Sequence, residues 1–240
     1  MELSLLQLLA AMGVVGLGAV VQGTIGFGMA VVAAPFLYRI DPGLVPGPLI
    51  FSGMMIGALS ARRYASEVDF SILGYALLGR LPGSMLGVMV LMLVSTQHLS
   101  LVLGGSVLLA VVGSLCPYKL KTTPFTLFSA GLCSGMMGTA ASIGGPPMAL
   151  VLQNESGNRI RANLAVFFVV GSFISLVLLG INDLLTKEQL GYGVFLFPAV
   201  LAGHWAASKV AEKIEKERVR QIMLVLCSIS GLTAVISAIY

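Results

Sequence analysis

Charged side chains are scarce in this sequence. Asp, Glu, Lys and Arg make up 10% of its 240 residues, whereas 57% are hydrophobic and the mean hydropathy is +0.98. A water-soluble domain needs more polar surface than this composition supplies, so the soluble globular classes are excluded. Apolar segments close to the ~20 residues of a spanning helix recur along the chain. The sequence therefore predicts an all-α polytopic membrane protein that folds in a lipid bilayer.

Residues that bind metals are also few, with three cysteines and two histidines in the chain. Cys116, Cys133 and Cys227 lie in apolar surroundings without a CxxC or Cys–His spacing. We interpret them as packing residues. The sequence contains no phosphate-binding loop and no haem motif, and its basic residues fall mainly in loops between apolar segments. It predicts no metal site, no cofactor, no nucleic-acid partner and no enzymatic activity, and it leaves the oligomeric state open.

No acidic side chain falls within a predicted span, which argues against a cation site built from carboxylates at the membrane midplane. The same absence leaves Arg80, about ten residues into a predicted span, without an obvious partner. A positive charge at such a depth costs about 2.5–3.5 kcal/mol on insertion scales. Two interpretations stay open. Arg80 is neutralised by an anionic substrate, or it caps backbone carbonyls that broken helices expose.

Apolar runs and the Gly, Pro and polar residues between them divide the chain into helices. They predict ten helical elements, at residues 3–21, 24–38, 44–61, 71–94, 99–115, 124–139, 143–153, 161–182, 189–209 and 219–239. The elements 24–38 and 143–153 would rise about 22 and 16 Å, too little for a hydrocarbon core of about 30 Å. Each of these two short elements follows a Gly-rich break.

The two breaks occupy corresponding places in the sequence. The segment TIGFGMAV (24–31) aligns with SIGGPPMA (142–149) at an offset of 118, and LPGSMLG (81–87) aligns with FPAVLAG (197–203) at an offset of 116. A nearly constant offset predicts two repeats, residues 1–116 and 124–240, joined by a linker at 117–123.

The distribution of basic residues predicts the orientation of these repeats. Placing the loop after element 44–61 in the cytoplasm puts eleven of the 14 Lys and Arg residues on the cytoplasmic side, including those of the linker and of the 209–220 loop. Element 44–61 and its counterpart 161–182 then cross in opposite directions. We therefore predict inverted repeats with broken or re-entrant hairpins in a cell inner (plasma) membrane, a plan typical of secondary transporters.

The two breaks are the candidate substrate site. A helix that begins beside a break directs unpaired N–H groups and about half a positive charge toward the interior, which favours an anion. Gln22, Thr24 and Ser142 add polar donors, and the glycines let a ligand approach the backbone closely. The alternative is that small residues only permit close helix packing, as we expect for the pairs Gly53/Gly57, Gly83/Gly87 and Gly131/Gly135.

Two further side chains have an open role. Arg161 begins a predicted span, where its guanidinium either snorkels to lipid headgroups or faces the mouth of the cavity. His204, the one histidine in a predicted span, either takes up a proton during coupled transport or packs as a hydrogen-bonded residue. Ser142 and His204 together also permit an intramembrane hydrolase, although these residue types alone carry little information.

These motifs resemble the TauE/SafE family of membrane permeases, also called sulfite exporters. The resemblance rests on QGTIGFGMAVVAAPFL, on SGMMGTAASIGGPPMALVL and on RIRANLAVFF. It implies transport of a small anion, such as sulfite, a sulfonate or an organic acid. Among these we expect a sulfur-containing substrate, namely sulfite, thiosulfate or an organosulfonate. It also implies a substrate path along both breaks. The residues so predicted are Gln22, Gly23, Thr24, Gly26, Phe27, Gly28, Ser142, Gly144, Gly145 and Pro146, with Arg161 nearby. We expect a secondary transporter that works by alternating access, with an anion channel as the main alternative.

Overall fold

The computed structural model describes residues 3–94, 96–115 and 120–210, together with six isolated helical positions between 225 and 236. The regular helices in these ranges are α1 (Leu5–Ile25), α2 (Met29–Ile40), α3 (Gly47–Arg63), α4 (Phe70–Leu93), α5 (Thr96–Leu115), α6 (Pro124–Ala141), α7 (Gly145–Leu152), α8 (Gly157–Ile181), α9 (Lys187–Phe195) and α10 (Phe197–Val210). Apart from those six positions, the predicted final span 219–239 lies outside the described residues, as do most of the 209–220 loop and residues 117–119 of the linker.

Within the described residues, five segments are long and apolar enough to cross a membrane. They are Leu5–Ile25, Pro42–Arg63, Phe70–Leu93, Gly157–Ile181 and Lys187–Lys209. The described part of the chain is helical and contains no strand. This confirms the predicted all-α polytopic membrane class.

The short helices α2 and α7 each turn back along the helix before them. The amide Nε2 of Gln7, near the start of α1, donates to the carbonyl of Ile40 at the end of α2 (3.3 Å). In the same way, the Thr122 hydroxyl, just before α6, donates to the carbonyl of Val151 near the end of α7 (3.1 Å). With 12 and 8 residues, α2 and α7 rise about 18 and 12 Å and cannot cross a bilayer. The two helical hairpins predicted from the sequence are therefore present.

The first break lies later in the chain than predicted. We expected the first helix to end at residue 21, but α1 continues through Gln22, Gly23 and Thr24 to Ile25. Gly23 belongs to this helix because its missing side chain leaves room for α10: a Cβ there would lie 2.5 Å from the Cβ of Ala207. The chain breaks instead at Gly26, where φ is +105°.

The penultimate span is also divided, which the sequence did not predict. The expected helix 189–209 is the pair α9 and α10, which meet at Leu196. Pro198 follows as the second residue of α10. Because a proline lacks an N–H and restricts the residue before it, it favours a new helix start here.

Helix pairs with interlocking glycines form the core of the described bundle. In α4, a Cβ on Gly79, Gly83 or Gly87 would lie within 2.0 to 2.7 Å of a carbonyl oxygen of α6. The order of these contacts, with Gly79 on Phe128 and Gly83 on Leu132, shows that α4 and α6 run parallel. The predicted packing role of Gly83/Gly87 is thus confirmed, and small residues in membrane helices serve the same purpose generally.

Candidate functional site

The tips of the two hairpins meet around an internal cavity of about 40 Å³. The cavity is large enough for small polar groups of the size of water. Six predicted site residues line it, namely Gln22, Gly28, Arg80, Ser142, Gly144 and Gly145. Helices α3 and α8 close its sides with residues such as Gly53, Phe168 and Ser172. The structure thus brings the two breaks and Arg80 to one place.

At the first break, the backbone is arranged to leave helix N–H groups near the cavity. Gly26 and Gly28 both have positive φ, +105° and +112°, a conformation that glycine adopts without steric cost. The Gln22 side-chain oxygen accepts the N–H of Met29, the first residue of α2, at 3.3 Å. Ala30 and Val31 also line the cavity. Their N–H groups belong to the first turn of α2, where a helix provides no internal acceptor.

The second break offers fewer backbone donors than the first. Ser142 adopts a left-handed conformation (φ +63°) and ends α6. Its hydroxyl donates to the carbonyl of Pro46, just before α3, at 3.0 Å. Pro146 and Pro147 are the second and third residues of α7 and have no N–H. Both short helices begin at a break, as predicted, but α2 has more first-turn N–H groups than α7.

Arg80 is buried in the middle of α4, with 3% of its surface exposed. Its Nη1 donates to the carbonyl and to the hydroxyl of Ser134 at 2.9 and 2.8 Å, and its Nη2 donates to the Ser175 hydroxyl at 3.3 Å. The guanidinium carbon lies 5.3 Å from the centre of the Phe167 ring. Nε has no hydrogen-bond partner, and no described carboxylate forms an ion pair with the group.

Three glycines make room for this guanidinium. A Cβ on Gly138 of α6 would lie 2.8 Å from Nη2, and one on Gly144 at the second break would lie 2.7 Å from Nη1. A Cβ on Gly171 of α8 would lie 2.7 Å from Nε. Real Cβ atoms do not approach nitrogen atoms this closely, so side chains at these positions would displace Arg80.

Other predicted residues lie away from the cavity. The Thr24 hydroxyl donates within its own helix, to the carbonyl of Val20 at 2.8 Å, so it is engaged with backbone. Gly23 packs on α10 near His204. His204 is half-buried, and its Nδ1 has no hydrogen-bond partner. It does not line the cavity that Ser142 lines, so the pair considered for a hydrolase does not meet there.

Phe27, Pro146 and Arg161 lie on the other side of the first break. Phe27 and Pro146 line a second space of about 290 Å³. Arg161 donates from Nη2 to the carbonyl of Thr24 at 2.7 Å, and its guanidinium carbon lies 5.8 Å from the centre of the Tyr64 ring. Arg161 therefore holds the C-terminal end of α1 beside the break.

Three residues around Arg80 were not predicted from the sequence: Ser134, Ser175 and Phe167. They are fully buried and come from α6 and α8. Ser134 lies in the SGMMG segment, whose small residues indicated helix packing but not a partner for Arg80. A serine that lies away from the breaks carries no functional signal in the sequence. These three residues are therefore identified only by the packing of the helices.

Comparison with known protein families gives one match along most of the chain. Residues 9–234 match the family described as sulfite exporter TauE/SafE. Comparison with curated proteins and with solved structures gives no match. The match covers both hairpins, Arg80 and the glycine-rich helix pair, and the family consists of transporters rather than enzymes. The chain is an integral membrane protein that belongs to the TauE/SafE family of sulfite exporters.

Proposed function

We propose that this protein is a secondary transporter of a small sulfur-containing anion, such as sulfite, thiosulfate or an organosulfonate, and that it works by alternating access. The observation that carries the proposal is the position of Arg80. Its positive charge lines a cavity between two helix breaks and has no carboxylate partner in the described part of the chain. An anion in the cavity would supply the missing charge.

The electrostatics of the cavity favour a negative ligand. A guanidinium in a membrane interior is costly to keep charged, and ordinary hydroxyl and carbonyl acceptors, here from Ser134 and Ser175, compensate only part of that cost. The N-terminus of α2 adds the positive end of a helix dipole and the first-turn N–H groups of Ala30 and Val31. A guanidinium with free donors also matches the geometry of an oxyanion better than a lysine does.

The packing of equivalent helices supports inverted repeats with bounds at 1–116 and 124–240. By the sequence offset, α3 corresponds to α8. These two helices run antiparallel: Gly47 lies against Leu185, Gly57 against Val169, and Tyr64 near Arg161. Two equivalent helices that cross in opposite directions are what an inverted pair of repeats requires.

The remaining helix pairs follow the same relation. Helix α4 of the first repeat runs parallel to α6 of the second. The sequence offset relates α4 to α10 and α6 to α1. Helices α10 and α1 are also parallel, because Gly203 packs on Gly16 and Ala207 on Gly23. Gly203 and Gly87, which the sequence aligned, both lie at close helix contacts, where an added Cβ would be 2.4 Å from the Gly16 carbonyl oxygen and 2.7 Å from that of Met136. Two similar bundles that share the cavity could rock against each other, as alternating access requires.

The basic residues of the described chain also support the proposed orientation. Arg161 lies near Tyr64, which follows Arg62 and Arg63, and Arg159 pairs with Asp69 in the next loop. The Asn154 amide donates to the carbonyl of Leu120 at 2.9 Å, which brings the linker to the same end. We propose that this end faces the cytoplasm of a cell inner membrane, together with the 209–220 loop.

Uptake into proteoliposomes tests the proposed function. Labelled sulfite uptake by the wild-type protein should saturate, and unlabelled anion inside the vesicles should accelerate it. A channel would show neither behaviour. Arg80→Gln should abolish uptake, and Arg80→Lys should reduce it at least tenfold because the ammonium lacks the planar fork. Arg39→Gln is the matched control, since Arg39 is exposed at the end of α2. Full activity of Arg80→Gln would remove Arg80 from the site.

A further inference from the structure

Two separate spaces lie on either side of the first break. The anion cavity of about 40 Å³ is lined by Gly28 and Gly145 among others. The second space, of about 290 Å³, is lined by Ile25, Phe27, Pro146 and by residues of α7 and the start of α8. We name this second space the vestibule. At each break, two adjacent residues thus line different spaces. Gly28 and Gly145 line the anion cavity, whereas Phe27 and Pro146 line the vestibule.

The Phe27 side chain lies in the wall of the vestibule and reaches Gly145, which lines the anion cavity. It packs directly on Gly145, where an added Cβ would be 3.1 Å from both the Cβ and the Cδ2 of Phe27. Because Gly145 has no side chain, the ring covers the backbone at the start of α7. Phe27 also packs against the apolar cluster that contains Met148 and Phe167. Its ring is therefore held in place by apolar contacts rather than by hydrogen bonds.

Phe27 and Gly145, which are in contact, occupy equivalent positions in the two repeats. The offset of 118 that aligns Gly26 with Gly144 also aligns Phe27 with Gly145. The two hairpins thus touch at equivalent points, with a large side chain from one repeat and none from the other. The contact between the hairpins at this point is therefore made by the Phe27 side chain alone on the bare backbone of Gly145.

The backbone on both sides of Phe27 has the conformational freedom that movement of the ring needs. Gly26 and Gly28 flank it, and both adopt positive φ values that other residues rarely reach. Arg161 holds the chain two residues before Gly26 by its hydrogen bond to the Thr24 carbonyl, and Gln22 holds the residue after Gly28 by accepting the N–H of Met29. Movement would therefore be confined to Gly26, Phe27 and Gly28, a short hinge of the kind that gates many binding sites.

We propose that Phe27 is the barrier between the anion cavity and the vestibule, and that the anion passes only when the ring leaves Gly145. The vestibule lies toward the loop between α7 and α8, so Phe27 closes the path on that side of the membrane. This inference rests on the proposed function in treating the cavity as the anion site. The barrier itself is a property of accessibility and can be measured without transport.

Cysteine labelling tests the barrier. Cys116, Cys133 and Cys227 are replaced by alanine, and Ser172→Cys then places one thiol in the cavity wall, on α8. Sealed vesicles of both orientations are treated with 2-sulfonatoethyl methanethiosulfonate, which does not cross membranes. Ala149→Cys, in the vestibule, is the matched control. The vesicle orientation in which it reacts identifies the vestibule side.

From the vestibule side, the Ser172→Cys thiol should react slowly when Phe27 is present and at least tenfold faster with Phe27→Ala. Phe27→Tyr should keep the slow rate, and Phe27→Leu should give an intermediate rate. If Phe27→Ala does not fold, Phe27→Leu replaces it in the test. The Ala149→Cys rate should not change in any of them. An equal Ser172→Cys rate with and without the Phe27 ring would overturn the proposal. Full sulfite uptake by Arg80→Gln would contradict the proposed anion site but has no bearing on this labelling result, so the two proposals fail separately.

Discussion

Arg80 and Ser134 link the middle of α4 to the second helix break. The Ser134 hydroxyl accepts a hydrogen bond from Arg80 Nη1 at 2.8 Å and donates its own proton to the carbonyl of Gly144. Arg80 and Ser134 are 54 positions apart in the chain. The single hydroxyl therefore sets both the position of the guanidinium and that of the break at which α7 begins.

Removal of this hydroxyl should destabilise the protein. Ser134→Ala leaves a buried charged donor and a buried carbonyl with one partner fewer, which costs about 1–3 kcal/mol. Thermal unfolding in detergent measures the loss. Ser84→Ala is the matched control, because the Ser84 hydroxyl is equally buried but has no hydrogen-bond partner. Equal melting temperatures for the two variants would contradict the linking role of Ser134.

The glycines around Arg80 should not tolerate a methyl group. Gly171→Ala would place a Cβ 2.7 Å from Arg80 Nε, and the resulting overpacking should cost about 1–3 kcal/mol and lower anion uptake. Gly180→Ala lies in the same helix with nothing within 4 Å of the added Cβ, so it should be neutral or slightly stabilising. Melting temperature and uptake measured on both variants check this. A fully active and stable Gly171→Ala would contradict the close fit.

Gln22 and Thr24, two residues apart at the end of α1, should respond differently to substitution. Gln22→Ala removes the acceptor for the Met29 N–H and a polar group of the cavity, so uptake should fall at least several-fold. Thr24→Val removes only a hydroxyl that bonds within its own helix, so uptake should stay close to the wild-type rate. The initial rates of labelled sulfite uptake compare them. A stronger loss in Thr24→Val would show that its hydroxyl reaches the substrate.

Asp69 should make stability depend on pH in the acidic range. Hydrogen bonds from the Ser71 hydroxyl and from Arg159 lower the pKa of Asp69 to about 2, from an ordinary value of 3.8. Because the folded-state pKa is the lower one, this stabilisation is complete above pH 3.8 and is lost as the pH falls toward 2. Melting curves of the wild type and Asp69→Asn should therefore converge over that interval.

Glu67 provides the control for the pH dependence of stability. Glu67 is exposed in the same loop, so Glu67→Gln should keep the wild-type acid dependence. A wild-type dependence in Asp69→Asn would show that another group is responsible.

His204 is the candidate for proton coupling. Its Nδ1 is buried without a partner beside Gly23, and α10 packs on α1 near the first break. If His204 exchanges a proton during the cycle, an imposed pH gradient should stimulate wild-type uptake but not that of His204→Gln. Trp205→Phe, at the exposed neighbouring position, is the control. Equal stimulation of the wild type and His204→Gln would assign the coupling elsewhere.

The sequence predicted the coarse architecture well because it depends on local properties. Apolar runs determine which segments can enter a bilayer, and glycine and proline determine where a helix can stop. For this reason both hairpins were predicted. The position of the first break was wrong by a few residues, because whether Gly23 continues a helix depends on Ala207 at the far end of the chain.

The candidate site was predicted in part. Gln22, Arg80 and Ser142 were identified because polar groups are conspicuous among apolar residues, and the structure places all three on the cavity. Thr24 was expected to offer its hydroxyl to a ligand, but a helical threonine can bond the carbonyl four residues earlier, as it does here. Ser134 and Ser175 were missed because serines are common in membrane helices for packing alone.

The sequence by itself determined that this chain is a membrane protein with two matched helix breaks and an unpaired arginine in a span. These features follow from composition and from the order of residues along the chain. Only the tertiary structure decided that Arg80 lies on Ser134 and Ser175, 54 and 95 residues away, and that Phe27 packs on Gly145. The direction in which a side chain points is set by the helices packed against it, and these come from distant parts of the sequence.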